Sequence, residues 1–194
     1  MGVRTLDFRD HRRELGENRW VYAVVSRRCG GLSIGVNLNT DKRCNFDCPY
    51  CQVNRTVPGW SGTVDPSGVA YELDELLAHL TAGTLWDHAP FDSASAGLRT
   101  LRDISVAGDG EPTTCPELDQ VIQSLAEVRN RYQMQQVPIR LLTNATFFHL
   151  PRVQRALQTL DRHGGEIWAK LDAGTSDYFR EVNGTEFSFT KVLE

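Results

Sequence analysis

The sequence predicts an α/β domain with a parallel β-sheet. Short apolar strands alternate with amphipathic helices along residues 32–182, which is the order that α/β folds show. The chain has 194 residues, of which 40% are hydrophobic, and this suffices for one domain with its own core. No stretch approaches the ~20 apolar residues of a transmembrane helix, so no membrane partner is expected.

Four strands are predicted from short apolar runs. The first, residues 32–38, alternates strictly, with Leu32, Ile34, Val36 and Leu38 on one face and small or polar residues on the other. This alternation turns every second side chain toward a core. The remaining strands are predicted at residues 101–107, 139–144 and 166–172.

Helices are predicted between these strands from apolar residues at helical spacing. The first begins after Asp65, an N-cap followed by Pro66 at the first helical position, and ends at Gly83. Residues 84–99 are predicted to form a polar loop. Further helices are predicted from Pro116, from Pro151 to Gly164, over 176–182 and from Thr190.

The composition predicts a reduced, cytoplasmic protein. Five cysteines are an odd number and three of them fall within eight residues, which argues against a disulfide framework. The N-terminus is charged and lacks the apolar segment of a secretory signal. Residues 1–55 are basic and the remainder is acidic, but the balance does not predict a nucleic-acid-binding protein. We expect a single domain over residues 1–194, with residues 1–30 as an N-terminal extension.

Cys44, Cys48 and Cys51 form the most informative motif, with the spacing C-x3-C-x2-C. They follow the first strand, at the edge where barrel active sites lie. A structural zinc site needs four protein ligands, so zinc would require Cys115, Cys29 or a histidine as well. A redox disulfide between Cys48 and Cys51 would leave Cys44 without a role. Three thiolates on a 4Fe–4S cluster would leave one iron open to a further ligand.

A glycine-rich turn, Gly108-Asp109-Gly110-Glu111, follows the second predicted strand. Glycines let the backbone approach a ligand without interference from side chains. An ordinary turn between a strand and a helix, with an acidic residue near the helix start, would have the same pattern. Both interpretations stay open on the residues alone.

Polar residues also end the third and fourth predicted strands. Asn144 is either a turn former or a site residue. Alternation along the fourth strand places Trp168, Lys170 and Asp172 on one face. A buried Lys and Asp must pair or serve a site, so either an ion pair or a ligand contact is expected.

Taken in order along the chain, these motifs resemble the radical SAM superfamily, whose cluster motif has this spacing with an aromatic residue before the last cysteine. Tyr50 fills that position. The glycine-rich turn is similar to the family's Gly-Gly-Glu-type motif with Asp109 in the middle, and Thr143-Asn144 is similar to its Thr-Asn-Gly with Ala145 in place of glycine. Five segments resemble the branch of iron–sulfur oxidoreductases related to the tRNA wybutosine-synthesis enzymes: Ser26–Arg28, Gly31–Leu38, Gly108–Thr113, Lys170–Gly174 and Val182–Gly184.

The resemblance implies a partial (β/α) TIM-like barrel of the radical SAM type, with the first four to five β-α units present and a truncated C-terminus. It implies a 4Fe–4S cluster and S-adenosyl-L-methionine (SAM) as cofactors. Glu111 would bind the SAM amino group, and Asp172 would approach the ribose. The implied cluster ligands are Cys44, Cys48 and Cys51. The implied cofactor-binding residues are Phe46, Tyr50, Gly108, Asp109, Gly110, Glu111, Asn144, Lys170 and Asp172.

The resemblance also implies an oxidoreductase-like enzyme that cleaves SAM reductively to a 5′-deoxyadenosyl radical for hydrogen abstraction. The implied partners are an electron donor such as flavodoxin or ferredoxin and a substrate that is a tRNA, a peptide or a small molecule. Cys29 alone precedes the motif, whereas the tRNA enzymes hold a second cluster with additional N-terminal cysteines. Arg27 and Arg28 are either anion-binding or solvated. The alternatives are a non-catalytic iron–sulfur or metal-binding fragment and a structural zinc protein.

Overall fold

The computed structural model describes residues 18–26 and 28–194. They form a five-stranded sheet in the order β1-β2-β3-β4-β5. Strand β1 runs antiparallel to β2, and β2 to β5 are mutually parallel, which confirms the predicted α/β class with a mostly parallel sheet. The strands are β1 (Val21–Ser26), β2 (Gly31–Val36), β3 (Leu101–Val106), β4 (Ile139–Thr143) and β5 (Glu166–Ala169).

Helices connect the parallel strands, as the apolar periodicity predicts. Helix α1 begins where the Asp65 carboxylate accepts a hydrogen bond from the Ser67 amide, and it ends at Gly83, whose φ of 78° is left-handed. The α-helices of the described residues are α1 (Pro66–Ala82), α2 (Leu118–Arg131), α3 (Pro151–Arg162), α4 (Ser176–Asn183) and α5 (Phe189–Leu193).

The main hydrophobic core lies between one face of the sheet and helices α1, α2 and α3. The helices lie side by side, α1 against α2 and α2 against α3. Every second residue of the central strands points into this core because side chains alternate along a strand. The buried strand residues are Ile34, Val36, Ile104, Val106, Ile139 and Leu141.

The opposite face of the sheet is polar and carries a network of charges. Asp103 is fully buried there and accepts a hydrogen bond from Arg140 Nη1 at 2.6 Å. Arg140 also binds Glu166 through Nε at 2.7 Å. Arg28 lies 3.7 Å from Asp103, and the Ser33 hydroxyl donates to the same carboxylate. The network therefore joins β2 to β5 across the sheet.

Strand β1 is absent from the sequence-based prediction. It lies within residues 1–30, the predicted N-terminal extension, and pairs along its whole length with β2, so this part of the extension belongs to the sheet. Arg28 is tied into the charge network, whereas Arg27 and residues 1–17 lie outside the described residues.

Two further predictions need correction. Strand β5 ends at Ala169, three residues before the predicted end. The Lys170 amide still donates to the Thr143 carbonyl, and the side chains of Lys170 and Asp172 contact the cysteine loop. Residues 84–99 contain three short 3-10 helices rather than a plain polar loop. Leu85 and Phe91 anchor this segment because both are buried in the main core.

Closure of the sheet into a partial TIM-like barrel stays a prediction. The described helices include none that is both long and apolar enough to cross a membrane. The cytoplasmic location stays a prediction as well.

Candidate functional site

The candidate site is a cavity at the carboxyl edge of the parallel strands, where α/β proteins place their ligands. Its volume is about 420 Å³, within the usual range for small-molecule sites. The segments that follow β2, β3, β4 and β5 all contribute to its wall. Every predicted site residue except Asp172 lines it: Cys44, Phe46, Cys48, Tyr50, Cys51, Gly108, Asp109, Gly110, Glu111, Asn144 and Lys170.

The cysteine loop, residues 37–64, is supported from outside the cavity by α4. Phe46 packs edge-to-face on Phe179 with ring centroids 5.6 Å apart, and Phe179 is buried. The Asp47 amide donates to the Asn183 carbonyl at 3.0 Å. Gly184 has a φ of 54°, and a Cβ there would overlap the Asp47 carbonyl oxygen. The α4 end thus fixes the loop segment between the first two cysteines.

The three thiols have different electrostatic surroundings. Burial raises the pKa of Cys44. Burial alone would raise the pKa of Cys51 too, but a hydrogen bond from the Arg55 guanidinium and its positive charge lower it below the usual value. Arg55 Nη1 lies 3.1 Å from Cys51 Sγ. Lys170 Nζ lies 3.9 Å from Cys48 Sγ. Cations therefore stand beside two of the three sulfurs, and at Cys51 the cation favours the thiolate form that binds metals.

Candidates for a fourth zinc ligand lie elsewhere. Cys29 sits in the turn before β2, at the opposite end of that strand, with its thiol directed at the Gly31 carbonyl. Cys115 is buried in the main core, and no histidine of the described residues lines the cavity. All five cysteines are free.

Within residues 18–26 and 28–194, no group of three His, Cys, Asp or Glu side chains is arranged around one metal ion. A preformed single-ion zinc site is therefore not found there. Cys44, Cys48 and Cys51 nevertheless line one cavity, and thiolate sulfur is the ligand type that iron–sulfur clusters take.

The glycine-rich turn packs against the start of the cysteine loop. A Cβ at Gly108 would overlap the Asn37 amide, and one at Gly110 would overlap the Arg43 carbonyl oxygen. Asn37 holds the turn by donating from Nδ2 to the Asp109 carboxylate at 2.9 Å and accepting from the Asp109 amide at 3.1 Å. Asp109, where the family pattern has glycine, is thus held by a hydrogen-bond partner.

Glu111 is buried, with 3% of its surface exposed. Its Oε1 accepts from the Thr113 amide at 3.0 Å, the Thr113 hydroxyl at 2.5 Å and the Thr143 hydroxyl at 2.6 Å. Its Oε2 accepts from the Asn144 amide at 2.7 Å. The carboxylate therefore joins the segments after β3 and β4, and Oε2 keeps capacity for a further donor.

Asn144 points its side chain toward the cysteine loop. Its Nδ2 donates to Asn45 Oδ1 at 2.9 Å, and Asn45 Nδ2 donates to the Thr146 hydroxyl at 2.7 Å. Ala145, which takes the place of the family's glycine, has a φ of 62°. That left-handed conformation is the one for which glycine is favoured, so Ala145 occupies a backbone position that suits glycine.

Tyr50, Lys170 and Asp172 form a cluster between the cysteine loop and the end of β5. Burial and the neighbouring Asp172 raise the pKa of Tyr50, so its hydroxyl stays protonated and donates to Asp172 at 2.6 Å. Lys170 Nζ lies 3.1 Å from the Asp172 carboxylate and also contacts the Tyr50 hydroxyl. The Lys170–Asp172 ion pair, one of the two sequence-based alternatives, is therefore present and is shared with Tyr50. It is partly exposed rather than buried as predicted, with 43% of the Lys170 side chain and 26% of the Asp172 side chain accessible.

Sequence reasoning missed several residues that shape the site. Arg55 binds Cys51, Asn37 holds the glycine-rich turn, and Asn45 links the loop to Asn144. Asn183 contacts the loop through both its backbone and its side chain. The position of Arg55, four residues after the last cysteine, was the only local signal for it. Spacing gives no signal for Asn37, Asn45 or Asn183.

The fold and the cavity define an α/β protein with a three-thiol site at the carboxyl edge of its parallel strands. No family model matches the chain. It is 29% identical over 140 residues to a UPF0026 protein of Helicobacter pylori strain J99, covering 71% of this chain and 38% of that protein. It is 25% identical over 179 residues to a UPF0026 protein of Methanocaldococcus jannaschii, covering 88% and 46% respectively.

A third relative is the GTPase Obg of Brachyspira hyodysenteriae, 24% identical over 172 residues that cover 88% of this chain and 22% of that protein. The chain thus spans less than half the length of these relatives. It has no Gly-Lys pair and hence no Gly-x4-Gly-Lys-Ser/Thr phosphate-binding loop, so the GTPase name is not carried over.

Among solved structures, the chain is similar to that of TYW1 with a lysine–pyruvate adduct bound. The TM-score is 0.49 at 17% identity, and the match covers 83% of this chain and 49% of that one. A likeness of this size supports no further conclusion.

Proposed function

We propose that this chain is a radical SAM protein that binds a 4Fe–4S cluster through Cys44, Cys48 and Cys51. The observation that carries the proposal is that these thiols share one cavity with the glycine-rich turn after β3 and with Asn144 after β4. This is the order of motifs that the superfamily resemblance implies. With cluster and SAM bound, the chemistry supplied is one-electron reduction of the sulfonium, which yields methionine and a 5′-deoxyadenosyl radical able to abstract hydrogen from a substrate.

The protein residues bind, orient and shield the cofactors in this proposal. Arg55 and Lys170 offset the negative charge of the thiolates beside them. Glu111 accepts the SAM amino group on Oε2, which has one hydrogen-bond partner within the described residues. Gly108 and Gly110 let their turn pack closely against the cysteine loop, which keeps the turn on the cavity wall.

The remaining predicted contacts are assigned by position. Asn144 extends the wall next to Glu111, and Phe46 and Tyr50 pack around the cluster and the adenine. Asp172 reaches the cavity through Tyr50 and Lys170 and is assigned to the ribose. Lys170 is the candidate for a substrate carboxylate. The proposed electron donor is a protein such as flavodoxin or ferredoxin, and the proposed substrate is a tRNA, a peptide or a small molecule, as the resemblance implies.

Anaerobic reconstitution tests the cluster assignment. Because each ligand thiolate binds a separate iron, Cys48→Ala should lose most iron and acid-labile sulfide, whereas the control Cys29→Ala should keep both. Paramagnetic resonance of the reduced wild type should change when SAM is added. Unchanged iron content in Cys48→Ala, or one zinc per chain in oxygen-free preparations, would contradict the proposal.

The same preparation separates the catalytic proposal from a non-catalytic iron–sulfur protein. Reduced protein with SAM should release 5′-deoxyadenosine, which chromatography detects. A cluster that assembles and changes with SAM but releases no 5′-deoxyadenosine under any reductant would favour the non-catalytic alternative.

A further inference from the structure

Asn183, the last residue of α4, contacts Cys48 at a point outside the cavity lining. Its side chain is 1% exposed, and its Oδ1 lies 3.6 Å from Cys48 Sγ. The backbone around it is fixed, because its carbonyl accepts from the Asp47 amide and the left-handed Gly184 brings the chain close to Asp47. The amide group is therefore held against the sulfur by the fold.

The other half of this amide has no partner among the described residues. Asn183 Nδ2 is buried without a hydrogen bond, and a buried donor left unsatisfied costs stability. The orphaned donor and the contact with sulfur belong to the same amide group.

The protonation state of Cys48 decides which end of the amide should face it. A thiol donates, so it faces oxygens of Asn183: Oδ1 at 3.6 Å and the backbone carbonyl at 3.8 Å. A thiolate bound to metal has lost its proton and can accept only. Rotation of the amide by 180° exchanges oxygen and nitrogen at nearly the same positions, which brings Nδ2 to the sulfur and leaves Oδ1 unpaired. An under-satisfied carbonyl oxygen is tolerated better than an orphaned N–H.

We propose that Asn183 donates a hydrogen bond to the Cys48 sulfur when Cys48 binds the cluster, and that this bond raises the reduction potential. The inference rests on the proposed function, since it needs a cluster on Cys48. Hydrogen bonds to the ligating sulfurs stabilise the more negative, reduced state, and they are one of the determinants of cluster potential. Asn183 is a positioning and tuning residue that acts through Cys48.

The test compares reconstituted wild type with Asn183→Leu and Asn183→Ser, which both remove the amide. Leu keeps the buried volume and Ser keeps a polar group, so that at least one is expected to fold. In each variant the cluster should bind the electron about tenfold more weakly, which corresponds to a midpoint potential lower by ~59 mV for a one-electron couple. A redox titration followed by paramagnetic resonance measures this potential. The control Thr185→Val removes a neighbouring contact with the loop, the bond from Thr185 Oγ1 to the Asn45 carbonyl, and should leave the potential unchanged.

Equal potentials in wild type and both Asn183 variants would overturn the inference and leave the proposed function standing. Loss of the cluster from both variants, with Thr185→Val intact, would also overturn it, because Asn183 would then serve folding alone. A wild-type protein that assembles no cluster would instead remove the proposed function, and the inference with it.

Discussion

Glu111 shows at the level of one residue how a buried carboxylate joins two segments of the cavity wall. Its carboxylate accepts four hydrogen bonds from two segments. Glu111→Gln should destabilise the protein by about 1–3 kcal/mol, because an amide nitrogen replaces an oxygen that faces a donor. Urea unfolding measures this, with Glu127→Gln as the exposed control, expected within about 0.5 kcal/mol of wild type. A Glu111→Gln variant as stable as the control would show that these bonds carry little weight.

The thiols give a second prediction at this scale, in metal-free protein. The hydrogen bond and charge of Arg55 lower the pKa of Cys51, against the effect of its own burial. Burial, with Glu117 nearby, raises the pKa of Cys115 to about 12. At pH 7.5 the thiolate fraction of Cys51 therefore exceeds that of Cys115, and iodoacetamide should modify Cys51 at least about tenfold faster. Mass spectrometry of the peptides resolves the two rates.

Substitution of Arg55 checks the cause of that difference. Arg55→Ala should return the pKa of Cys51 upward and slow its alkylation at pH 7.5. Arg43→Ala is the control, because Arg43 is paired with Asp41 and makes no contact with Cys51 in the described hydrogen bonds. Equal slowing in both variants would mean that general charge, rather than the bond to sulfur, sets the reactivity.

At the scale of elements, the glycine-rich turn can lie against the cysteine loop only because Gly108 and Gly110 have no side chains. Gly110→Ala would place a methyl group on the Arg43 carbonyl oxygen, so we expect a loss of about 1–3 kcal/mol from overpacking. Gly97→Ala is the control, because its Cβ would meet nothing within 4 Å. Thermal unfolding measures the melting temperature of both variants. Equal melting temperatures would show that Gly110 does not pack tightly against the cysteine loop.

The elements that the sequence predicts are those whose pattern is local. The alternation in β2 and the caps of α1 were sufficient to predict both. Strand β1 was missed because it stands outside the β-α alternation, and its pairing with β2 is antiparallel. The sequence pattern does not mark the early end of β5, after which the Lys170 side chain contacts Tyr50 and Cys48.

At the scale of the whole molecule, the polar face of the sheet should make stability depend on pH. The hydrogen bond from Arg140, with a second from Trp168, holds the pKa of Glu166 below 4.5. A depressed carboxylate pKa stabilises the folded state above the unfolded value, and this contribution is lost as pH falls through the folded pKa. Glu166→Gln should therefore be less stable at pH 7 by about 0.2–1 kcal/mol, with the gap closing below pH 4.5.

Urea unfolding from pH 7 to pH 3 measures that gap. Glu186→Gln serves as the control, because Glu186 is almost fully exposed and lies 4.0 Å from Arg180. A gap for Glu166→Gln that stays constant through this range would show that the Arg140 bond adds nothing to stability.

The composition of the cavity wall could be predicted largely from motif order, because the ends of parallel strands meet at one edge. Cys48, Gly110 and Asn144 are far apart in the chain yet line one cavity. The sequence does not predict which residues support the cysteine loop from outside the cavity. Asn183 follows Cys48 by 135 residues, and the contact between them depends on the packing of α4 against the cysteine loop rather than on any spacing.

That separation also has a consequence for biosynthesis. At about 5–20 residues per second, a ribosome needs roughly 7 to 27 s to add the 135 residues between Cys48 and Asn183. Through that interval the nascent cysteine loop lacks the helix that later packs against it. The supported form of the loop therefore arises only after the α4 segment has been translated.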